Sequence, residues 1–228
     1  MRRRELITLA AVLCALAMLL AGCGSSSSSS SAQTTSSSAT SSASATASTT
    51  SSGPAIGFEG VPLEQGPALG SAATTGTATV DGISCKPVEQ LAYHIHARLT
   101  VFDGGRAYAL PGGIGIPGSQ LEQSQYGPVA AGGRCYYWLH THTSDGVIHI
   151  ESPTRAIYTL GDFFDVWRQP LTGDRIAGLH GKVTAFVNGK PWHKNPREIP
   201  LLPHADIQLE IGEPIPPLIK IDWGRTQL

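Results

Sequence analysis

The chain has 228 residues, of which 14% are charged, well below the usual quarter or so for globular proteins. Without residues 1–22, 13 basic and 16 acidic residues remain, a net charge of −3. This balance argues against nucleic acid as a partner, because nucleic-acid binding needs a clustered positive surface. After the N-terminus no stretch approaches the roughly 18 apolar residues of a membrane-spanning helix. About 150 residues remain for a core, which suits one domain.

The N-terminus is typical of a secreted bacterial protein. Residues 1–4 are basic, residues 6–20 are apolar, and the segment ends in Leu20-Ala21-Gly22-Cys23. This tetrapeptide resembles the lipobox of bacterial lipoproteins, which implies that residues 1–22 are a signal peptide and that Cys23 is lipidated. An ordinary cleaved signal and an uncleaved anchor are the alternatives. The lipid would anchor the protein to the bacterial cell membrane or outer envelope, facing outside the cytoplasm.

Residues 23–78 are predicted to form the lipidated cysteine and a flexible tether. Residues 24–53 are almost entirely Ser, Thr and Ala, a composition that cannot offset the entropy of ordering. Residues 53–76 continue with Pro and Gly and little periodicity. We therefore place a His-rich β domain at residues 79–228.

The cysteines that remain after processing form an even pair. Cys14 lies in the signal peptide and Cys23 takes the lipid, which leaves Cys85 and Cys135. In an oxidising compartment this pair predicts one disulfide. The alternative is that both thiolates ligate a metal, but neither belongs to a Cys-x-x-Cys pair.

The folded part has the patterns of β-strands. Residues 93–102 alternate between apolar and polar side chains, and Asp103-Gly104-Gly105 then supplies a turn. Residues 135–142 and 147–152 flank Asp145-Gly146, which is typical of a two-residue hairpin loop.

Further strands and one helix follow. Residues 182–187 lead into the turn Asn188-Gly189, and residues 206–211 alternate again. Thr159-Leu160-Gly161-Asp162 has the form of a capping box, and Pro170 ends the short helix that it predicts. The fold class is therefore mostly β, an antiparallel sandwich or open barrel with one short helix.

An internal repeat relates two of the predicted hairpins. Residues 95–106 align without gaps on residues 179–190, with identical His, Thr, Phe and Gly. The alignment matches His180 to His96, so His180 is a possible additional site residue. A fold built from two related hairpin units follows, although any two strand–turn–strand segments share some of this likeness.

All eight histidines lie in the predicted domain, and five fall in two short windows. A two-residue loop at Asp145-Gly146 pairs His142 with His149 and His140 with Glu151, so that these four side chains share one face of the hairpin. In residues 93–102 a His-x-His pair likewise lies opposite the apolar side, and it joins the site if its strand lies next to this hairpin. The candidate metal ligands are His94, His96, His140, His142, His149 and Glu151.

Imidazoles that converge with a carboxylate are the ligands of a borderline divalent cation. Because the thiols are predicted to be oxidised, and Met1 and Met18 leave with the signal, no soft ligand remains for Cu(I). Cu(II) or Zn(II) is therefore expected, with Ni(II) or Fe(II) open. The alternative is a polar sheet face whose histidines bond to neighbours or water.

Three longer strings carry a further resemblance. Residues 136–142 (YYWLHTH), 145–153 (DGVIHIESP) and 158–164 (YTLGDFF) resemble a group of uncharacterised secreted bacterial proteins, over about residues 85–223. This resemblance implies no activity.

Three functions are compatible with these patterns. The first is a metal-binding lipoprotein that sequesters or delivers copper or zinc at the envelope. The second is a metalloenzyme with Glu151 or His94 as general base, but the sequence has no nucleophile elbow, zincin helix or phosphate loop, which favours binding over catalysis. The third is a metal-free adhesion or interaction module on a stalk.

Overall fold

The structure is a computed structural model that describes residues 53–72 and 76–228. The predicted signal peptide at residues 1–22, the predicted lipidation site Cys23 and most of the predicted tether lie outside the described residues. Among those that are described, no helix is long and apolar enough to cross a membrane.

The described residues form fourteen strands, one α-helix and two short 3₁₀-helices, at Pro196–Glu198 and Trp223–Arg225. In chain order the main elements are β1 (Cys85–Lys86), β2 (Tyr93–Asp103), β3 (Arg106–Tyr108), β4 (Leu121–Ser124), β5 (Gly127–Ala130), β6 (Tyr136–Tyr137), β7 (Leu139–His140), β8 (Val147–Ser152), α1 (Leu160–Trp167), β9 (Leu171–Thr172), β10 (Arg175–Ile176), β11 (Leu179–His180), β12 (Val183–Val187), β13 (Lys190–Trp192) and β14 (Ala205–Ile211). The prediction of a mostly β fold with one short helix is confirmed.

The main sheet has seven strands in the order β13-β12-β14-β2-β8-β7, with β3 also paired to β2. It is open, and the described strands do not close into a barrel. Its pairs are antiparallel except β14–β2, where Ala205 lies opposite Ala97 and Ile211 opposite Asp103 in a parallel register. The parallel pair arises because residues 193–204 carry the chain from β13 over β12 and insert β14 beside β2.

Two hairpins flank β14, and they are the two segments related by the internal repeat. In the first, Asp103 pairs with Arg106 across Gly104 and Gly105, whose φ angles are 55° and 78°. In the second, Val187 pairs with Lys190 across Asn188 and Gly189, with φ angles of 51° and 77°. Left-handed backbone at both loop positions is the geometry of a type I′ turn, which matches the twist of the flanking strands.

One face of the sheet packs into the hydrophobic core. Helix α1 lies in that core and begins at a capping box in which Thr159 N donates to Asp162 Oδ2 (2.8 Å) and Asp162 N donates to Thr159 Oγ1 (3.2 Å). Strand positions that alternate with the histidines supply the sheet side of the core. The fully buried core includes Ala97, Leu99, Leu139, Ile148, Ile150, Leu160, Phe163 and Phe164.

A disulfide joins two parts of the chain beside the main sheet. Cys85 and Cys135 are bonded with an S–S distance of 2.04 Å, which confirms the predicted pairing. Strand β1 pairs with β6, and Cys85 lies opposite Tyr137. The bond therefore fixes β1 beside the strand that leads into β7.

Residues 53–72, which we assigned to the tether, lie against the domain. Val61 and Leu69 are buried, and Leu69 N donates to Ala109 O at 2.9 Å. Two apolar side chains and a few backbone hydrogen bonds are enough to dock a segment that lacks periodicity. The same segment brings Glu59 onto the polar face of the sheet, opposite the core.

Candidate metal centre

Strand β8 lies between β2 and β7, and all three strands carry histidines on the same face of the sheet. His149 and Glu151 on β8 point away from the core, and β2 places His96 opposite His149 and His94 opposite Glu151. On the other side, β7 places His140 opposite His149. Side chains opposite one another on neighbouring strands share a face, so three strands bring their imidazoles together.

The predicted register of the hairpin before β8 is wrong by two residues. We expected His142 opposite His149, but His140 lies there, and residues 141–146 form the loop. The loop is longer because its backbone pairs elsewhere: Thr141 N donates to Ile114 O (3.0 Å), and His142 O accepts from Ala130 N (2.8 Å). An even shift keeps every side chain on its face, and so the convergence survives the error.

His140 and His142 form a close pair with a fixed tautomer. Their Nε2 atoms lie 3.2 Å apart. His140 Nδ1 lies 2.9 Å from Tyr137 O, and His142 Nδ1 lies 2.8 Å from Ala130 O. Because a carbonyl oxygen can only accept, each Nδ1 carries a proton, and the two Nε2 atoms face each other.

A second close pair lies across β8. The Nε2 atoms of His94 and His96 are 2.9 Å apart, and His94 Nε2 lies 3.1 Å from Glu151 Oε1. His96 is buried, whereas the side chain of His94 is 38% exposed. This pair therefore lies on the solvent side of the cluster.

Three carboxylates surround the rings, and two of them were missed from the sequence. His149 Nδ1 lies 3.2 Å from Glu151 Oε1. His149 Nε2 lies 2.7 Å from Glu59 Oε1, and the two groups form an ion pair although they are poorly aligned for a hydrogen bond. Glu89 Oε1 lies 3.4 Å from His142 Nε2. Glu59 is the first charge after a long uncharged stretch, a signal that could have marked it; Glu89 carries no such signal.

Burial and neighbouring charge divide the histidines into two kinds. Burial lowers the pKa of His96 to about 3, helped by the nearby His149 and His94, and burial also lowers the pKa of His140 well below its ordinary value. For His149 burial acts in the same direction, but hydrogen bonding to Glu151 and the charge of Glu59 outweigh it and raise the pKa to about 9. His96 and His140 are thus neutral at pH 7, the form in which imidazole binds metals.

The structure brings all six predicted ligands into one cluster. Three overlapping sets have ligand atoms within 4.8 Å of one another: His94, His96 and His149; His140, His142 and His149; and Glu89, His140 and Glu151. Sets of imidazoles with carboxylates suit Zn(II) or Cu(II), although the sets do not identify the metal.

His180 lies apart from this cluster. It is exposed and ends β11, in a three-stranded sheet where it lies opposite Arg175. In the first repeat segment His96 lies inside the continuous strand β2. In the second, β11 ends at His180 and β12 begins only at Val183, after Gly181 with a φ of 146°. The repeat therefore predicted the second hairpin, but His180 does not lie in the cluster.

The cluster has a covered side and an open side. The rings of Phe58 and His142 pack in a T-shaped arrangement with centroids 6.3 Å apart, and the side chain of His140 is fully buried. Glu89 is 32% exposed, like His94 at the rim.

Comparison of the chain with protein-family models, with curated proteins and with solved structures found no match.

Proposed function

We propose that the protein is a bacterial envelope lipoprotein that binds a divalent transition metal, Cu(II) or Zn(II), through this His cluster and holds it for sequestration or delivery. The observation that carries the metal proposal is the pair of His140 and His142. Their Nε2 atoms face each other 3.2 Å apart, inside the protein.

The spacing of this pair is that of two ligands on one ion. With metal–nitrogen bonds of about 2.0–2.1 Å and angles between about 90° and 110°, two ligand nitrogens lie about 2.8–3.4 Å apart. The same spacing suits an N–H···N hydrogen bond, but both Nδ1 atoms already hold the protons against carbonyl oxygens. A second proton on His140 is opposed by its burial. The bridge is therefore either a second proton on His142, beside Glu89, or a metal ion, and the further imidazoles around the pair favour the metal ion.

The donor set favours Cu(II) or Zn(II). Both cysteines of the described domain are consumed in the disulfide, and the chain has methionines only at positions 1 and 18. Nitrogen and carboxylate oxygen donors suit borderline divalent ions, whereas Cu(I) prefers sulfur. At equal availability, Cu(II) would bind more tightly than Zn(II), in keeping with the general order of affinities.

The location at the envelope is supported by the sequence alone. Leu20-Ala21-Gly22-Cys23 follows a basic and then an apolar segment, and a lipid on Cys23 would tie the chain to a membrane. The long Ser/Thr/Ala segment would then hold the His cluster away from the membrane surface. Such a tether suits a protein that meets metal ions outside the cytoplasm.

A titration tests the metal proposal. The full chain, stripped with a chelator, is titrated with Zn(II) and Cu(II) in a calorimeter. His140→Ala should weaken binding at least tenfold, which corresponds to about 1.4 kcal/mol, while His193→Ala, an exposed histidine outside the cluster, should match the wild type. No binding by the wild type, or wild-type affinity in the His140→Ala/His142→Ala protein, would refute the proposal.

A metal-dependent enzyme is the second candidate, and the exposure of His94 favours it. Catalytic metal sites keep a coordination position open to water or substrate, and His94 is 38% exposed beside Glu151. Azide added to the Cu(II)-loaded chain should then change its absorption spectrum, because azide would take the open position. An unchanged spectrum would argue for a closed site that only binds metal.

A further inference from the structure

We propose that the cluster holds two metal ions, with Glu151 between them. His94 and His96 bind one ion, and His140, His142 and Glu89 bind the other. This inference rests on the metal-binding function proposed above and adds a second ion with its own ligands.

The cluster has more donors than one ion can use. Five imidazoles and three carboxylates face the same space, and a tetrahedral Zn(II) site takes about four ligands. A single ion would therefore leave about half of these donors without a metal bond. The full set is His94, His96, His140, His142, His149, Glu59, Glu89 and Glu151.

The imidazoles divide into two pairs on opposite sides of β8. The Nε2–Nε2 distances are 2.9 Å in the His94–His96 pair and 3.2 Å in the His140–His142 pair, and each is the spacing of two ligands on one ion. The ring of His149 lies between the pairs, with its centroid 4.6 Å from the rings of both His96 and His142. Each pair therefore has its own ion position, and a ring nitrogen of His149 lies within 4.8 Å of the ligand atoms of each pair.

Glu151 reaches both pairs. Its Oε1 atom lies 3.1 Å from His94 Nε2 and 3.9 Å from His140 Nε2. Glu151 is 2% exposed, and its Oε2 atom is buried without a hydrogen-bond partner among the residues that the structure describes. A buried carboxylate oxygen without a partner is costly, and a carboxylate that bridges two ions uses both of its oxygens.

Each ion would have one ligand at the solvent rim. The side chain of His94 is 38% exposed and that of Glu89 is 32% exposed, whereas the His140 side chain is fully buried. Both ions could therefore exchange with the solution at the rim.

Stoichiometry is the direct test. The full chain, stripped with a chelator, is titrated with Zn(II), and the metal content is measured after gel filtration. We expect two Zn(II) per chain in the wild type and one in both His94→Ala/His96→Ala and His140→Ala/His142→Ala. The matched control is His180→Ala/His193→Ala, which removes two exposed histidines outside the cluster and should still bind two.

The outcomes separate this inference from the function on which it rests. One Zn(II) per wild-type chain would overturn the second ion and leave the metal-binding function standing, whereas no bound Zn(II) would overturn both. Two ions that persist in both pair variants would place the ions elsewhere and also overturn the inference.

A spectroscopic measurement does not depend on the folding of any variant. The wild-type chain loaded with Cu(II) should show magnetic coupling between two Cu(II) ions in its electron paramagnetic resonance spectrum. A spectrum of isolated Cu(II) ions at full loading would contradict a shared carboxylate. Circular dichroism identifies any pair variant that fails to fold, and the wild-type spectrum then decides.

Discussion

Removal of the disulfide should destabilise the domain by several kcal/mol. Cys85 and Cys135 are 50 residues apart, and the loss of the closed loop returns entropy to the unfolded chain worth about 4 kcal/mol at 25 °C. The Cys85→Ala/Cys135→Ala protein loses the bond without placing a polar group at the buried position 135. For a domain of this size, the melting midpoint should fall by roughly 8–16 °C.

The same substitution should weaken the metal site. The disulfide fixes β1 beside β6, where Tyr137 lies opposite Cys85, and Tyr137 O holds Nδ1 of His140. Thermal unfolding followed by circular dichroism in the presence of a chelator measures the stability change, and a Zn(II) titration measures the site. Reduced wild-type protein is the control, since it loses the same bond. A melting midpoint equal to that of the oxidised wild type would refute the reasoning.

Three further outcomes follow from named residues. His142→Ala and His149→Ala should each weaken metal binding at least tenfold, about 1.4 kcal/mol, in a calorimetric titration in which His193→Ala changes nothing. Cys23→Ser should release the protein from sedimented membranes, because the lipid is the anchor expected after processing; continued sedimentation would indicate an uncleaved signal. Burial raises the pKa of Glu64 from 4.5 to about 8, so the folded state holds the proton more tightly and stability falls as pH rises through that range. In Glu64→Gln the free energy of unfolding should depend less on pH, by at most about 5 kcal/mol over this range. Urea unfolding at several pH values measures this free energy, and the same pH dependence in the two proteins would contradict the prediction.

The alternation of side chains predicted the site because strands sort residues by parity. In β2 the odd positions enter the core, and His94 and His96 point the other way. The hairpin before β8 was expected two residues out of its true register, but His140 and His149 stayed on one face because the error was even. Alternation thus predicts which residues share a face of the sheet more reliably than it predicts which residues lie directly opposite one another.

Long-range pairing supplied what parity could not. Glu59 reaches His149 from a segment without periodicity, and Glu89 reaches His142 from the connection between β1 and β2. The parallel pairing of β14 with β2 depends on a crossover whose path leaves no local pattern in the sequence. Each of these contacts is set by the packing of the whole chain rather than by any one window.

Two buried side-chain donors on the same face contrast with the His140–His142 contact. Next to the cluster on β2, Arg98 Nε donates to Asp145 O at 3.0 Å, and on β14 Gln208 Nε2 donates to Glu210 Oε1 at 2.6 Å. There each donor meets an acceptor, as buried polar groups normally do. In the His140–His142 pair carbonyl oxygens already take both Nδ1 protons, so the two Nε2 atoms need a shared cation between them, either a proton on His142 or a metal ion. The fold thus aims two imidazole nitrogens at one point, and a positive charge at that point stabilises their contact.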